Sequence, residues 1–279
     1  MYKATLITLM LLVYHSSTSL YCQIRDLEKE NINGNISSIR YSSYSMPKNS
    51  EHKNNNIAIS DIIYHYNDSG NISKSYHYKH NSLFSFRKYS YKNQVEVISV
   101  IEYNKDQSVY LTIDYSSDDH GFVTLANYQR DSQKHYDNNR SSVDVEFDTY
   151  YQQLFTTVVY KNDFKGFVLE EVYYTQNKEL AYKLTHKYDY KYNRVETKYY
   201  NNSGKVSWRK KMKYNLDGNM IECKYYESNR IALTSSYSYE LDQYNNWVNR
   251  KEFKTLHDNF FADQLDDNTI ITSRVIEYF

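Results

Sequence analysis

YHYNDSGNISKSY, residues 64–76, holds two alternating stretches on either side of a polar break. Tyr64 and Tyr66 lie two apart, so on an extended chain their rings share one face. Asn67-Asp68-Ser69-Gly70-Asn71 supplies side chains that bond the local backbone, and Gly70 is free to take positive φ. Alternation then resumes in ISKSY. The stretch reads as strand, tight turn and returning strand, a β-hairpin.

The same reading applies elsewhere. MKYNLDGNM (212–220) and YELDQYNNW (239–247) have the same length and pattern, and HKYDYKYNRV (186–195) follows it with Tyr192 in the glycine position. Weaker copies are IEYNKDQSV (101–109), DYSSDDHGFV (114–123) and VYKNDFKGFV (159–168). From Tyr160 through Tyr188 and Tyr214 to Leu241 the pattern recurs every 26 to 28 residues, with a further turn, NNSGKV (201–206), about halfway. Two strands per repeat leave about 13 residues for each strand and turn, which suits antiparallel hairpins and leaves no room for crossover helices.

Composition agrees with this reading. The chain of 279 residues carries 34 Tyr and 11 Phe but only 6 Gly and one Pro, Pro47. A tyrosine ring covers a pleated surface while its hydroxyl stays wet. Asn, Asp and Ser supply turns where glycine is scarce. Lys plus Arg equals Asp plus Glu at 34 each, so no global field draws the chain to nucleic acid or an acidic surface.

The Tyr-x-Tyr, polar pair, Gly-Asn pattern resembles bacterial YD repeats, found in the RHS family and in short exported proteins of the Bacteroidetes type. Residues 64–72, 186–195, 212–220 and 239–247 carry the likeness best. Leu241 departs from it, as do Tyr192 and Asn245 in place of glycine. The closing SRVIEYF (273–279) and the Asn246-Trp247 pair look similar to the ends of such proteins. The resemblance implies a β-hairpin array and no particular chemistry.

The fold expected is all-β, one long twisted or curled antiparallel sheet of consecutive hairpins spanning residues 23–279. Residues 24–41, with NINGNISSIRY, are expected to form a first hairpin and cap. Residues 42–56 read as a polar loop, 127–150 match the repeat poorly, and 255–268 read as a long loop or one helical turn.

At the N-terminus, Lys3 and the apolar run ATLITLMLLV (4–13) read as a signal peptide over residues 1–22. Cleavage after Cys22 leaves Gln23 first and Cys223 without an intramolecular partner. Lipidation of a retained Cys22 is the alternative. The protein is therefore expected to be secreted, periplasmic or on the cell surface, with no transmembrane span after signal removal.

Catalytic and metal chemistry find little support. His77 and His80 are three apart and diverge on a strand, which argues against a shared metal. In DDHG (118–121) the carboxylates beside His120 fall where a turn collects Asp anyway. Glu170 and Glu171 are adjacent and point to opposite faces, so they are not a facing acid and base. In WRKKMK (208–213), Arg209 and Lys211 share one face and Lys210 takes the other. No catalytic, cofactor-binding or metal residues are assigned, and no cofactor is expected. Trp247, Trp208 and Tyr239 are the candidate aromatic binding surface, for an unknown protein or glycan of the cell envelope. The function expected is a non-enzymatic binding or structural module of that envelope. A glycan-directed hydrolase built from scattered carboxylates is the alternative.

Overall fold

The computed structural model describes residues 32–46, 60–130, 155–257 and 269–278. All of its regular structure is β. The first strands are β1 (Ile36–Met46), β2 (Ser60–Tyr66), β3 (Ile72–Lys79) and β4 (Ser82–Lys92). They are followed by β5 (Glu96–Asn104), β6 (Val109–Ser117), β7 (Val123–Arg130) and β8 (Thr157–Asn162). Next come β9 (Val168–Tyr174), β10 (Leu180–Tyr188), β11 (Arg194–Asn201) and β12 (Val206–Tyr214). The last are β13 (Met220–Glu227), β14 (Arg230–Leu241), β15 (Trp247–Leu256) and β16 (Thr269–Tyr278).

Every strand pairs antiparallel with its neighbours in sequence, and β1 pairs with β16, closing a barrel. The expected long twisted sheet is thereby corrected. An open sheet would leave two edges of unpaired N–H and C=O groups, whereas the seam from Ser38↔Glu277 to Met46↔Thr269 removes both. In the expected first hairpin, Ile36–Met46 is one strand paired on both sides, with β2 and β16, and residues 24–31 lie outside the described residues. Within the polar stretch 42–56, residues as far as Met46 are strand; within 255–268, β15 continues to Leu256. The signal peptide with Cys22, and residues 131–154 and 258–268, lie outside the described residues.

The turns follow the chemistry of their first residue. Asn67, Asp118, Asp163, Asp189 and Asp242 each accept two backbone amides, from the residues two and four positions on. Asn215 accepts one, from Asn219. The fourth position of each turn is left-handed, filled by Gly70 (φ 76°), Tyr192 (φ 65°), Gly218 (φ 81°) and Asn245 (φ 63°) among others. All these turns join an even strand to the following odd one, so they lie at one end of the barrel. The connections 47–59, 131–156 and 257–268 leave from the opposite end.

The repeated tyrosine has its own task. Near this short-turn end, Tyr91, Tyr188, Tyr214 and Tyr239 donate their hydroxyls to the carbonyls of Ile72, Val168, Arg194 and Met220 at 2.7, 2.9, 2.9 and 2.5 Å. Each acceptor begins the strand preceding that of its tyrosine, so one hydroxyl ties the ends of a hairpin pair.

Candidate functional site, the inner wall

Register assigns each side chain to a face, because directly opposed residues point the same way. Starting from buried Ile39 and following the pairs around the barrel, the inward set includes Ile62, Ser75, Val100, Ile113, Ala126 and Val158. It continues through Tyr173, Leu184, Tyr199, Trp208 and Tyr225 to Ser235 and Thr272. Sixteen strands give a circumference wide enough to leave a lumen. The inward face keeps contact with water: Arg87, on this wall, retains 25% of its side-chain exposure.

The outer face is charged. Lys183 pairs with Glu170, Lys187 and Lys198 with Glu196, and Lys213 and Lys224 with Glu222. These residues occupy outward positions along β9–β13. At the middle of a bilayer an outward Lys or Arg costs about 2–4 kcal/mol, so this wall is built for water. Among the described residues no helix is long and apolar enough to cross a membrane. A second outward feature, not anticipated from sequence, is a row of rings across β2–β5: His65, Tyr76, Phe86 and Tyr103, with Phe86 and Tyr103 stacked at 4.7 Å.

The lining divides into three parts. Across β5–β8, Val97, Val100, Leu111, Ile113, Val123, Ala126 and Val158 form an apolar core covered by half-buried tyrosines. From β8 to β13, toward the end with the long connections, rings stack in an arc. Phe155 meets Tyr173 edge-on at 4.9 Å, Tyr173 stacks on Tyr182 at 4.1 Å, and Tyr182 stacks on Tyr199 at 5.3 Å. Tyr199 then stacks on Trp208 at 5.3 Å. From Tyr173 to Trp208 the ring faces cover one another, so the arc presents edges rather than flat platforms.

The third part is ionic. Arg87 is paired with Glu102 at 3.0 Å. Glu171 accepts from Tyr173 and lies 2.9 Å from His186 Nε2, while His186 Nδ1 stands 3.1 Å from Thr197 Oγ1. Burial outweighs the carboxylate's pull and lowers the His186 pKa. Burial raises the Glu171 pKa, but its hydrogen bonds and the positive field prevail and the net shift is downward. The pair is accordingly a neutral imidazole donating Nε2–H to a carboxylate, with Thr197 donating to Nδ1. Glu102 is likewise lowered, its burial being outweighed by Arg87. A glycosidase acid must hold its proton near neutral pH; Glu102 and Glu171 are shifted the other way. Glu170 faces outward and Glu171 inward, as their adjacency dictates.

Beyond these pairs the wall is rich in cations. Lys210, Arg250, Lys254 and Arg274 line β12–β16, with Glu252 among them. Burial lowers the pKa of both Lys210 and Lys254. Arg274 lies 3.6 Å from the Trp247 ring and donates to the Trp247 carbonyl at 2.8 Å. The buried Nε of Arg250 and the buried hydroxyl of Tyr225 find no hydrogen-bond partner among the described residues. Cys223 is also inward, its thiol pushed up to about 11 by burial, and is inert as a nucleophile.

The three aromatic candidates all fall on this inner wall, but they do not form one surface. Trp208 belongs to the stacked arc, whereas Trp247 and Tyr239 meet each other at 6.1 Å nearer the short-turn end. Both tryptophans are buried. The cation excess went unread because it depends on which of two faces Lys210, Arg250 and Lys254 take. His120 sits at a turn tip, and among the described residues no cluster of His, Cys, Asp and Glu is arranged to hold a metal ion.

No protein-family model matches the sequence, and no curated protein matches it either. Among solved structures, a porin-like protein from Bacteroides uniformis is similar over 87% of this chain and 96% of its own, with a TM-score of 0.51 and 11% identity. At that identity the likeness is one of fold. A Photorhabdus luminescens Tc holotoxin chain aligns with 71% of this chain but only 13% of its own length, at a TM-score of 0.31 and 9% identity. That match is too loose to support the YD-repeat resemblance.

Proposed function

We propose that the protein is an exported, non-enzymatic binding barrel of the bacterial envelope, water-exposed outside, whose lumen takes a polar, anionic ligand such as an acidic glycan. The observation that carries this reading is the inner wall of β12–β16. There, among the described residues, Arg250 and Lys254 face inward with no carboxylate in ion-pair contact and the buried Nε of Arg250 has no hydrogen-bond partner. A buried polar group without a partner is costly unless water or a ligand completes it. An anionic ligand would also meet the half-buried positive charges of Lys210 and Lys254. The buried Tyr225 hydroxyl, without a hydrogen-bond partner among the described residues, adds a group suited to a sugar hydroxyl. The charged outer wall favours a barrel in the aqueous envelope or outside the cell over one spanning the lipid.

The test is calorimetric titration of the full chain with oligogalacturonate and with a neutral oligosaccharide of equal length. Binding of the acidic chain alone, weakened at least about ten-fold in Arg250→Gln/Lys254→Gln, is the expected result. Equal binding of both, or of neither, contradicts it. Cleavage of either oligosaccharide would reinstate the hydrolase alternative.

A further inference from the structure

The short-turn end carries a feature that the fold does not require. In the repeated turns the second position points away from the barrel and makes none of the turn's hydrogen bonds. Two copies hold Asp there, Asp68 and Asp119, and one holds Gln243. Three consecutive turns hold instead Phe164, Tyr190 and Leu216, exposed at 83%, 85% and 86%. Among the described residues no other large apolar side chain is as exposed. The next turn adds Tyr244, 48% exposed. One half of this rim, from β8 to β15, therefore carries large apolar side chains at three tips and Tyr244 beside the fourth, Gln243, whereas the matching tips Asp68 and Asp119 between β2 and β7 are charged.

The apolar tips are held in a fixed row. Phe167 of one turn stacks on Tyr192 of the next at 4.5 Å, and Lys165 lies 4.1 Å over the same ring. Lys191 Nζ donates to the Leu216 carbonyl at 2.9 Å, tying the second turn to the third. Successive tips are two strands apart, about 10 Å, and polar turn backbone lies between them. Such separated knobs do not make the continuous patch that a protein partner would cover. They suit an interface that accepts single aromatic and aliphatic side chains among hydrated groups, which is the headgroup region of a bilayer. Lys165 and Lys191, both exposed, stand directly beside the first two tips, where anionic headgroups would meet them.

We infer that the β8–β15 half of this rim docks on an anionic membrane surface, with Phe164, Tyr190 and Leu216 entering the headgroup layer and Lys165 and Lys191 meeting lipid phosphates. The inference does not depend on the lumen reading, since it concerns the outside of one rim.

The experiment places a tryptophan at Leu216 (Leu216→Trp) or at the matching polar tip (Asp119→Trp) of the full chain. Vesicles of phosphatidylcholine alone or mixed with phosphatidylglycerol, each with brominated acyl chains, are then added. The native Trp208 and Trp247 are buried, and the unsubstituted chain supplies their baseline. The Leu216→Trp emission should move to the blue and be quenched by the anionic vesicles, while Asp119→Trp should not change. Lys165→Gln/Lys191→Gln in the Leu216→Trp chain should weaken the response by about five-fold per lysine. Phe164→Asp/Tyr190→Asp should abolish it, and these variants keep a residue that the same turn carries at Asp68 and Asp119. A silent Leu216→Trp, or equal responses from both tryptophans, overturns the inference. So does a blue shift that needs no lipid and grows with protein concentration, which would make the rim a protein interface.

Discussion

Asn246 and Asn33 exchange two hydrogen bonds across the barrel seam, Asn33 N–H to Asn246 Oδ1 at 2.7 Å and Asn246 Nδ2 to the Asn33 carbonyl at 2.9 Å. They lie 213 residues apart. Asn246 Nδ2 also donates to the Tyr278 hydroxyl, which in turn donates to Asp242. One buried amide from the final repeated turn thus holds the chain entering β1 and the end of β16. Asn246→Ala strands these partners and should lower stability by roughly 2–3 kcal/mol. Asn219→Ala, the same turn position with no seam beside it, should cost under about 1 kcal/mol. Urea unfolding of the two variants compares them directly.

The left-handed turn position gives a second set. Asn245→Gly should be neutral or slightly stabilising, since Asn bears this conformation at modest strain. Tyr192→Gly should be destabilising by about 1–2 kcal/mol, because the ring stacks on Phe167 and receives Lys165. Gly218→Val should lose about 1–3 kcal/mol, a β-branched residue resisting φ near 81°. Denaturant midpoints would rank the three.

The tyrosine ties predict a smaller and more local effect. Tyr214→Phe removes the bond to the Arg194 carbonyl and should cost about 0.5–1.5 kcal/mol. Tyr190→Phe, at an exposed tip, should leave thermal unfolding unchanged.

Acid sensitivity should come in two steps. The His186 pKa is lowered in the fold, so the unfolded chain takes up the proton first as pH falls. Stability is full above about pH 6.5, the unfolded value, and declines below it. Glu171 is also lowered, so its contribution is present above about pH 4.3 and is lost as pH falls further. His186→Gln should flatten the first decline and shrink the second, because His186 supplies the foremost contact that holds the Glu171 pKa down. Urea midpoints measured from pH 2 to pH 8 would show both changes.

The hairpins were legible because their signals are local. Asn67 and Asp242 announce the turns, and Tyr64-x-Tyr66 announces a strand two residues at a time. Tyr192 and Asn245 could be placed in the glycine position by spacing alone. Closure was not legible, because it rests on Asn33 meeting Asn246 and on β1 meeting β16, contacts set by strand tilt accumulated around the whole wall. The same gap hid the lumen. Alternation separates Lys210 from Arg209 and Lys211, but only a closed wall makes one of those faces an interior. Trp208 and Trp247 were singled out for their chemistry, and their stacking and burial depend on neighbours one strand away.

Closure of the barrel is the claim on which the lumen rests, and a seam cross-link tests it most directly. Tyr44 and Ile271 are directly paired between β1 and β16, at a Cα separation of about 4.5–5.5 Å for antiparallel partners, within disulfide reach. With Cys22 and Cys223 replaced by Ser, Tyr44→Cys/Ile271→Cys should oxidise within one chain. It should run as a monomer with altered mobility on non-reducing electrophoresis and lose both free thiols. Free thiols persisting under oxidation, or disulfides forming only between chains, would mean that the first and last strands do not meet and that the barrel is open.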